Sequence, residues 1–212
     1  MEKIDQISYK FFGRRLDDSF SNVIITNIRP MYIEVVKGAE IINQSKGFYE
    51  CSLINLNSKK YLIIKISPGN VIIDVLKIIS SVVDNIFLIG LAGALNNRHS
   101  IGDIICPGAV VSLENLNKKI TFNDNAKDDG LIYQTDGLVQ DDDFYLNLID
   151  KGVDFVDMES FFLASFCNKK NIRANIIAII SDTPLKHAFY KNNVFLEECF
   201  EKTVDNLINY FL

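Results

Sequence analysis

The sequence predicts an α/β fold of three layers (αβα), with helices on both faces of a central sheet that is mixed and strongly curved. Three observations predict it. From residue 22 onward, β-type apolar runs alternate with segments of helical apolar spacing, the pattern of a sheet packed between helices. Ile86-Phe87-Leu88-Ile89 is a continuous apolar run, as in a strand covered on both faces, and Ala174 to Ile180 is the most hydrophobic strand candidate. Two consecutive strands at 48–66 and an interrupted run at 104–111 break the strict alternation, and these make the sheet mixed rather than purely parallel.

The elements follow in order. Residues 1–20 read as a polar lead-in carrying Gly13-Arg14-Arg15 and Asp17-Asp18, and 21–212 as one domain without repeat or linker. Val23-Ile24-Ile25 is β-branched and short. Pro30 then stands where a helix can begin, and Ile33, Val36 and Ile41 give helical spacing from Met31 to Ile42. Strands are expected over Phe48 to Leu56 and Tyr61 to Ile66, joined by the turn-forming Asn57-Ser58. Ser67-Pro68-Gly69-Asn70 breaks into a helix from Val71 to about Val82. The Ile86–Ile89 strand is expected to end at Gly90-Leu91-Ala92-Gly93. Ile104 to Cys106, Ala109 to Val111 and Leu131 to Thr135 are β-like. Asp141 starts a short helix to Ile149, with Gly152 beyond its end. Val153 to Val156 is β-like, and Met158 to Lys170 is helical with two lysines at its C-terminus. The last helix is expected from about Val194 to Phe211.

Composition excludes several function classes. A net charge of −5 gives no basic footprint for a nucleic-acid polymer or an anionic membrane. No apolar stretch approaches the ~20 residues that span a bilayer, and the N-terminus lacks a signal-peptide core. The four cysteines, Cys51, Cys106, Cys167 and Cys199, are far apart and read as reduced core thiols of a cytoplasmic protein. His99 and His187 have no ligand-spaced partner, so no metal site is expected.

The chemistry concentrates in two short stretches, Val156-Asp157-Met158-Glu159-Ser160 at a helix start and Ile179-Ile180-Ser181-Asp182 at a strand end. Taken singly each has a plain structural reading. Carboxylates at a helix start meet the helix dipole, and Ser181-Asp182-Thr183-Pro184 can be a cap or an Asx turn. A carboxylate in a pocket can instead accept two hydrogen bonds from a vicinal diol, or hand over a proton. Gly90 to Gly93 is either a plain turn or a strip of backbone that a ligand approaches closely. It is not a dinucleotide fingerprint, because the third glycine and the following helix are missing. Ser67-Pro68-Gly69 before a helix is either a turn or a set of N–H groups for an anion.

In combination the motifs resemble a family. Gly90-Leu91-Ala92-Gly93-Ala94-Leu95, Ile101-Gly102-Asp103-Ile104-Ile105-Cys106-Pro107, Val156 to Ser160 and Ile179 to Asp182 match in order and spacing the purine nucleoside phosphorylase and uridine phosphorylase superfamily. Within it the chain is most similar to the methylthioadenosine/S-adenosylhomocysteine nucleosidases. The match runs from about Phe87 to the C-terminus; residues 1–85 agree only in element order.

The resemblance implies a nucleoside phosphorylase-like fold, assembly as a homo-oligomer (most simply a dimer), and cleavage of the N-glycosidic bond of a small-molecule nucleoside to release its base. It implies Glu159 as acceptor of the ribose hydroxyls, Met158 as the apolar residue against the sugar, and Asp182 as the acid at N7 of a leaving purine, with Ser181 beside it. Ala92 and Gly93 become the backbone strip beside base and sugar, and Leu138 and Val139, in Asp136-Gly137-Leu138-Val139, the apolar cover of the base. No metal or organic cofactor is implied; phosphate enters only as a co-substrate.

The chain departs from the family in its first half. Where the nucleosidases place a glutamate after the first strand, it reads Thr26-Asn27-Ile28-Arg29-Pro30. Arg29 is a candidate phosphate ligand, but Leu88 and Leu91 stand where phosphorylases of the family often carry an arginine and a hydroxyl. Hydrolysis and phosphorolysis both remain open, with hydrolysis slightly favoured. The same departures suit a non-catalytic nucleoside-binding protein on this fold.

Overall fold

A computed structural model describes residues 2–17, 19–111, 119–122 and 129–188. The helix expected at 194–211, and Cys199 with it, lie outside these residues.

The chain forms a mixed sheet with helices against both faces. In order its elements are α1 (Glu2–Phe12), β1 (Asn22–Thr26), α2 (Arg29–Lys37), β2 (Glu40–Lys46), β3 (Glu50–Leu56), β4 (Lys59–Lys65), α3 (Ile72–Ile79) and β5 (Asn85–Ala94). Then come β6 (Ile104–Ile105), β7 (Ala109–Val111), β8 (Lys119–Thr121), β9 (Leu131–Gln134), α4 (Asp142–Asp150), β10 (Phe155–Asp157), α5 (Ser160–Lys170) and β11 (Arg173–Asp182). The strands are ordered β2-β3-β4-β1-β5-β10-β9-β7-β8, and β11 pairs with β5 and β6. β4, β1, β5 and β11 run parallel to one another, whereas the β2–β3, β3–β4, β5–β10 and β6–β11 contacts are antiparallel.

Alternation along β1 explains the three layers. Val23 and Ile25 point into a core with α1, α3 and α5, while Ile24 points into a second core with Met31, Tyr32, Val35 and Val36 of α2. Successive side chains on a strand face opposite sides, so a strand buried on both faces carries no polar face, as Val23-Ile24-Ile25 shows. A third, smaller core gathers Tyr133, Val153 and Val156 under Tyr145 and Leu148 of α4. Asp141 caps α4 through a 2.8 Å bond from the Phe144 N–H, and Asn57-Ser58 make the β3–β4 turn with φ of 50° and 64°, as the sequence leads one to expect for a tight hairpin.

Three expectations need correction. The first residues are no polar lead-in. Residues 2–12 are a helix whose Phe12 is fully buried in the main core. Its C-terminal carbonyls are pinned by the Phe48 and Tyr49 N–H groups at 2.9 and 2.8 Å. Gly47 allows this, since a Cβ there would lie 2.4 Å from the Lys10 carbonyl oxygen.

The helix expected to Ile42 stops at Lys37. Gly38 ends it, and Glu40–Lys46 forms a hairpin with β3. β-Branched Ile41-Ile42 thus joins a sheet edge rather than a helix face. Gly90 to Gly93 does not end a strand either: β5 continues through Ala94, because β11 pairs along it as far as Gly93 and β10 pairs with its last two residues.

Candidate active site

Every residue of the site stands at or just past the carboxyl end of a strand, where open α/β sheets bind ligands. The centre is Gly93. On one side it pairs with Val156 of β10 and on the other with Asp182 of β11. Asp182 and Val156 are therefore two strand spacings, about 10 Å, apart. A Cβ on Gly93 would approach Pro184 Cγ and Val156 Cγ2 to 3.0 Å each, so the close meeting of the three strands requires glycine. Gly93→Ala is expected to lower stability by about 1–3 kcal/mol, the usual cost of overpacking, measurable by denaturant titration.

On the β11 side, a bulge between Ile180 and Asp182 re-aims the strand end, a common device beside sites. Asp182 is 8% exposed. The Ser181 hydroxyl donates to Asp182 Oδ1 at 2.8 Å and lies 3.3 Å from the Ala92 carbonyl oxygen, which ties Ser181, Asp182 and Ala92 together.

The β10 side turns into α5 two residues later than the sequence leads one to expect. The Asp157 carboxylate receives the Ser160 hydroxyl and the N–H groups of Ser160 (2.9 Å) and Glu159 (3.3 Å). This holds Glu159 at φ −130°, ψ −20°, outside helical geometry. Glu159 is thereby turned inward, 4% exposed. Its Oε1 accepts the Gly69 N–H at 2.5 Å, and it also accepts the Asn27 side-chain amide and the Met158 N–H. Met158 beside it is half-buried.

Burial raises the pKa of Glu159, opposed by those three donors. Burial first, and the Glu159 charge second, push Asp157 up to about 8 against its own three donors. The folded protein therefore binds a proton at Asp157 more tightly than the unfolded chain. Stability falls as pH rises from the ordinary value near 3.8 toward about 8, and levels off above. Asp157→Asn removes that charge but keeps an acceptor. Its stability relative to the parent is expected to rise with pH over this window, as read by melts at several pH values.

The sequence-derived candidates thus divide. Glu159, Met158, Ala92, Gly93, Ser181 and Asp182 come together around the β10–β5–β11 junction. Leu138 and Val139 do not: they are 60% and 67% exposed on the loop after β9. Arg29 is exposed at the start of α2. Two residues gain importance. Gly69, noted only as a turn or anion site, is occupied by the Glu159 carboxylate. Asn27, one residue past β1, bonds Glu159 while its Oδ1 is buried without a partner among the described residues. A polar residue directly after an apolar strand was the one signal in the sequence that marked it. Among the described residues, no group of three or more His, Cys, Asp or Glu could hold a metal ion, and no helix is long and apolar enough to cross a membrane.

The fold is the nucleoside phosphorylase-like α/β fold, shared with solved nucleosidase structures. No family model and no curated protein sequence matches the chain. Solved structures do. A mutant of the Helicobacter pylori 5′-methylthioadenosine/S-adenosylhomocysteine nucleosidase, with 5′-methylthioadenosine in its active site, superposes at TM-score 0.77 and 16% identity, covering 91% of this chain and 98% of that one. Futalosine hydrolase of the same organism gives 0.76 at 16% identity, covering 91% and 97%. A Borrelia burgdorferi protein described as a putative nucleosidase of the first type, bound to adenine, gives 0.75 at 18% identity, covering 90% and 98%.

Proposed function

We propose that this protein cleaves the N-glycosidic bond of a purine nucleoside, releasing the free base. One observation carries the reading: two buried carboxylates, Glu159 and Asp182, stand on opposite sides of Gly93 at the carboxyl ends of the strands. The two strand spacings between Val156 and Asp182 suit a nucleoside lying across the Gly93 strip, with its sugar toward Glu159 and Met158 and its base toward Asp182 and Ser181. The shared fold with nucleosidases supports the same placement.

The mechanism follows from charge. Breaking the C1′–N9 bond leaves positive charge on the sugar and the bonding electrons on the base. Asp182 donates a proton to N7, so the base departs neutral; positioned proton transfer of this kind contributes about 10²–10⁴-fold. Glu159 holds the ribose hydroxyls while the ring flattens, an orientation effect. A nucleophile then bonds to C1′, and we take it to be water; the proton it sheds to solvent balances the one Asp182 gave to N7 and takes back from solvent. The Gly69 N–H, just before α3, is the natural anion seat, yet a carboxylate already holds it at 2.5 Å. Phosphate placed there would meet like charge, and Arg29 is turned to solvent. Leu138 and Val139, exposed on their loop, suit the apolar cover of a bound base. No cofactor takes part, and we place the protein in the cytoplasm as a homo-oligomer, most simply a dimer.

Chromatography of a panel of purine and pyrimidine nucleosides, with and without phosphate, tests this reading. Phosphate-independent release of a purine base is the expected result. Release only with phosphate would replace water as nucleophile, and binding without release from any nucleoside would make the protein a non-catalytic binder.

A further inference from the structure

The donor and acceptor balance around Glu159 leaves one atom unexplained. The Asn27 side-chain amide is committed to Glu159, which fixes how the side chain is turned. Its Oδ1 is then buried with no partner among the described residues. A buried, unpaired carbonyl costs about 1–3 kcal/mol, so a donor arriving with the ligand relieves a real penalty. Gly90 is its neighbour on β5: a Cβ built there would lie 3.7 Å from Oδ1, in van der Waals contact, so glycine leaves that methyl-sized space to another group. Beside Oδ1 stands Glu159, whose Oε1 is partly engaged by Gly69 and whose remaining lone pairs are acceptors too. The pair Asn27–Glu159 thus presents two adjacent acceptors held in register by their own hydrogen bond.

A cis-diol is the group that answers two adjacent acceptors, since it brings two O–H donors on neighbouring carbons. We propose that Asn27 is a specificity-determining residue, its Oδ1 accepting one hydroxyl of the ribose diol while Glu159 accepts the other. The inference rests on the nucleoside reading above and narrows it to ribosides over deoxyribosides. A deoxy sugar leaves Oδ1 or Glu159 buried without its donor. Sites that pair with a substrate hydroxyl reject the analogue lacking it far more strongly than apolar pockets reject a missing methylene.

The test compares kcat/KM for adenosine and inosine with their 2′-deoxy and 3′-deoxy counterparts, in the parent, Asn27→Ala and Asn27→Asp. The parent is expected to prefer ribosides by about 10²-fold or more. In Asn27→Ala, the preference over one of the two deoxy series shrinks at least tenfold, because turnover of the riboside falls and that of this deoxy series does not. Asn27→Asp keeps an acceptor of the same shape, although it sets a carboxyl against Glu159 in place of the amide donor, and it supplies the same comparison if the Ala variant does not fold. Equal losses on ribosides and both deoxy series would overturn the proposal and place Asn27 with the nucleophile instead. An unchanged preference in both variants, or a parent that does not distinguish the sugars, would also overturn it. A parent that cleaves every sugar series alike sinks this inference alone; a parent that releases no base from any nucleoside sinks the cleavage reading as well.

Discussion

Asp182→Asn lowers base release by about 10²–10⁴-fold, with the fold and nucleoside binding retained, if Asp182 is the acid that protonates the leaving purine. The substitution keeps size and shape and an oxygen that can accept the Ser181 hydroxyl, now 2.8 Å from Oδ1. What it removes is a transferable proton. The Ile180–Asp182 bulge and the pairing of residue 182 with Gly93 are backbone features that the variant leaves intact. The loss belongs in kcat rather than KM, because proton transfer stabilises the transition state and not the bound nucleoside. Steady-state kinetics alongside calorimetric binding of the uncleaved nucleoside would separate the two. Turnover within threefold of the parent removes Asp182 from the chemistry.

Glu159→Gln has the second largest expected effect, and it falls on binding. Hydrogen bonds to a charged acceptor contribute about 1.5–3 kcal/mol against about 1 for neutral ones. Loss of the carboxylate is therefore expected to weaken ribosides by about 10-fold or more, while the free base, which does not touch this end of the site, binds as before. The variant also places an amide opposite the Asn27 amide, so donor faces donor unless one side chain turns. That reorganisation disturbs the sugar side and leaves Asp182 untouched. Equal weakening of riboside and free base would show that Glu159 does not hold the sugar.

The legible and illegible parts of this chain differ in where their information lies. The αβα class was readable because central strands such as β1 and β5 carry continuously apolar windows: Val23-Ile24-Ile25 needs both faces covered whatever its neighbours are. Asp141 and Asn57-Ser58 were readable for the same local reason, since a cap and a tight turn are set within four residues. Gly90 to Gly93 was misread because its partners are far away in sequence. β10 and β11 pair with it from residue 156 and residues 178–182, and no local propensity reports them. Residues 2–12 were misread likewise: the helix is held by the 47–49 segment and by Phe12 in a core assembled from distant elements.

In the site, Glu159 and Asp182 stood out because each is an acidic residue at an element boundary within a matching motif. Asn27 did not, since its interest is an unpaired acceptor that only the assembled site reveals. Asp157 was seen as one more carboxylate at a helix start. Its grip on the Ser160 and Glu159 N–H groups, which turns Glu159 inward, depends on side-chain geometry that the sequence does not carry.

The most direct measurement is a crystal structure of the Asp182→Asn variant with an intact purine nucleoside. The expected complex has the purine N7 edge against position 182, the sugar over Gly93 and Met158, and the ribose diol divided between Glu159 and Asn27. A nucleoside bound away from the Gly93 junction, or with its sugar at position 182 and its base at Glu159, would contradict the account.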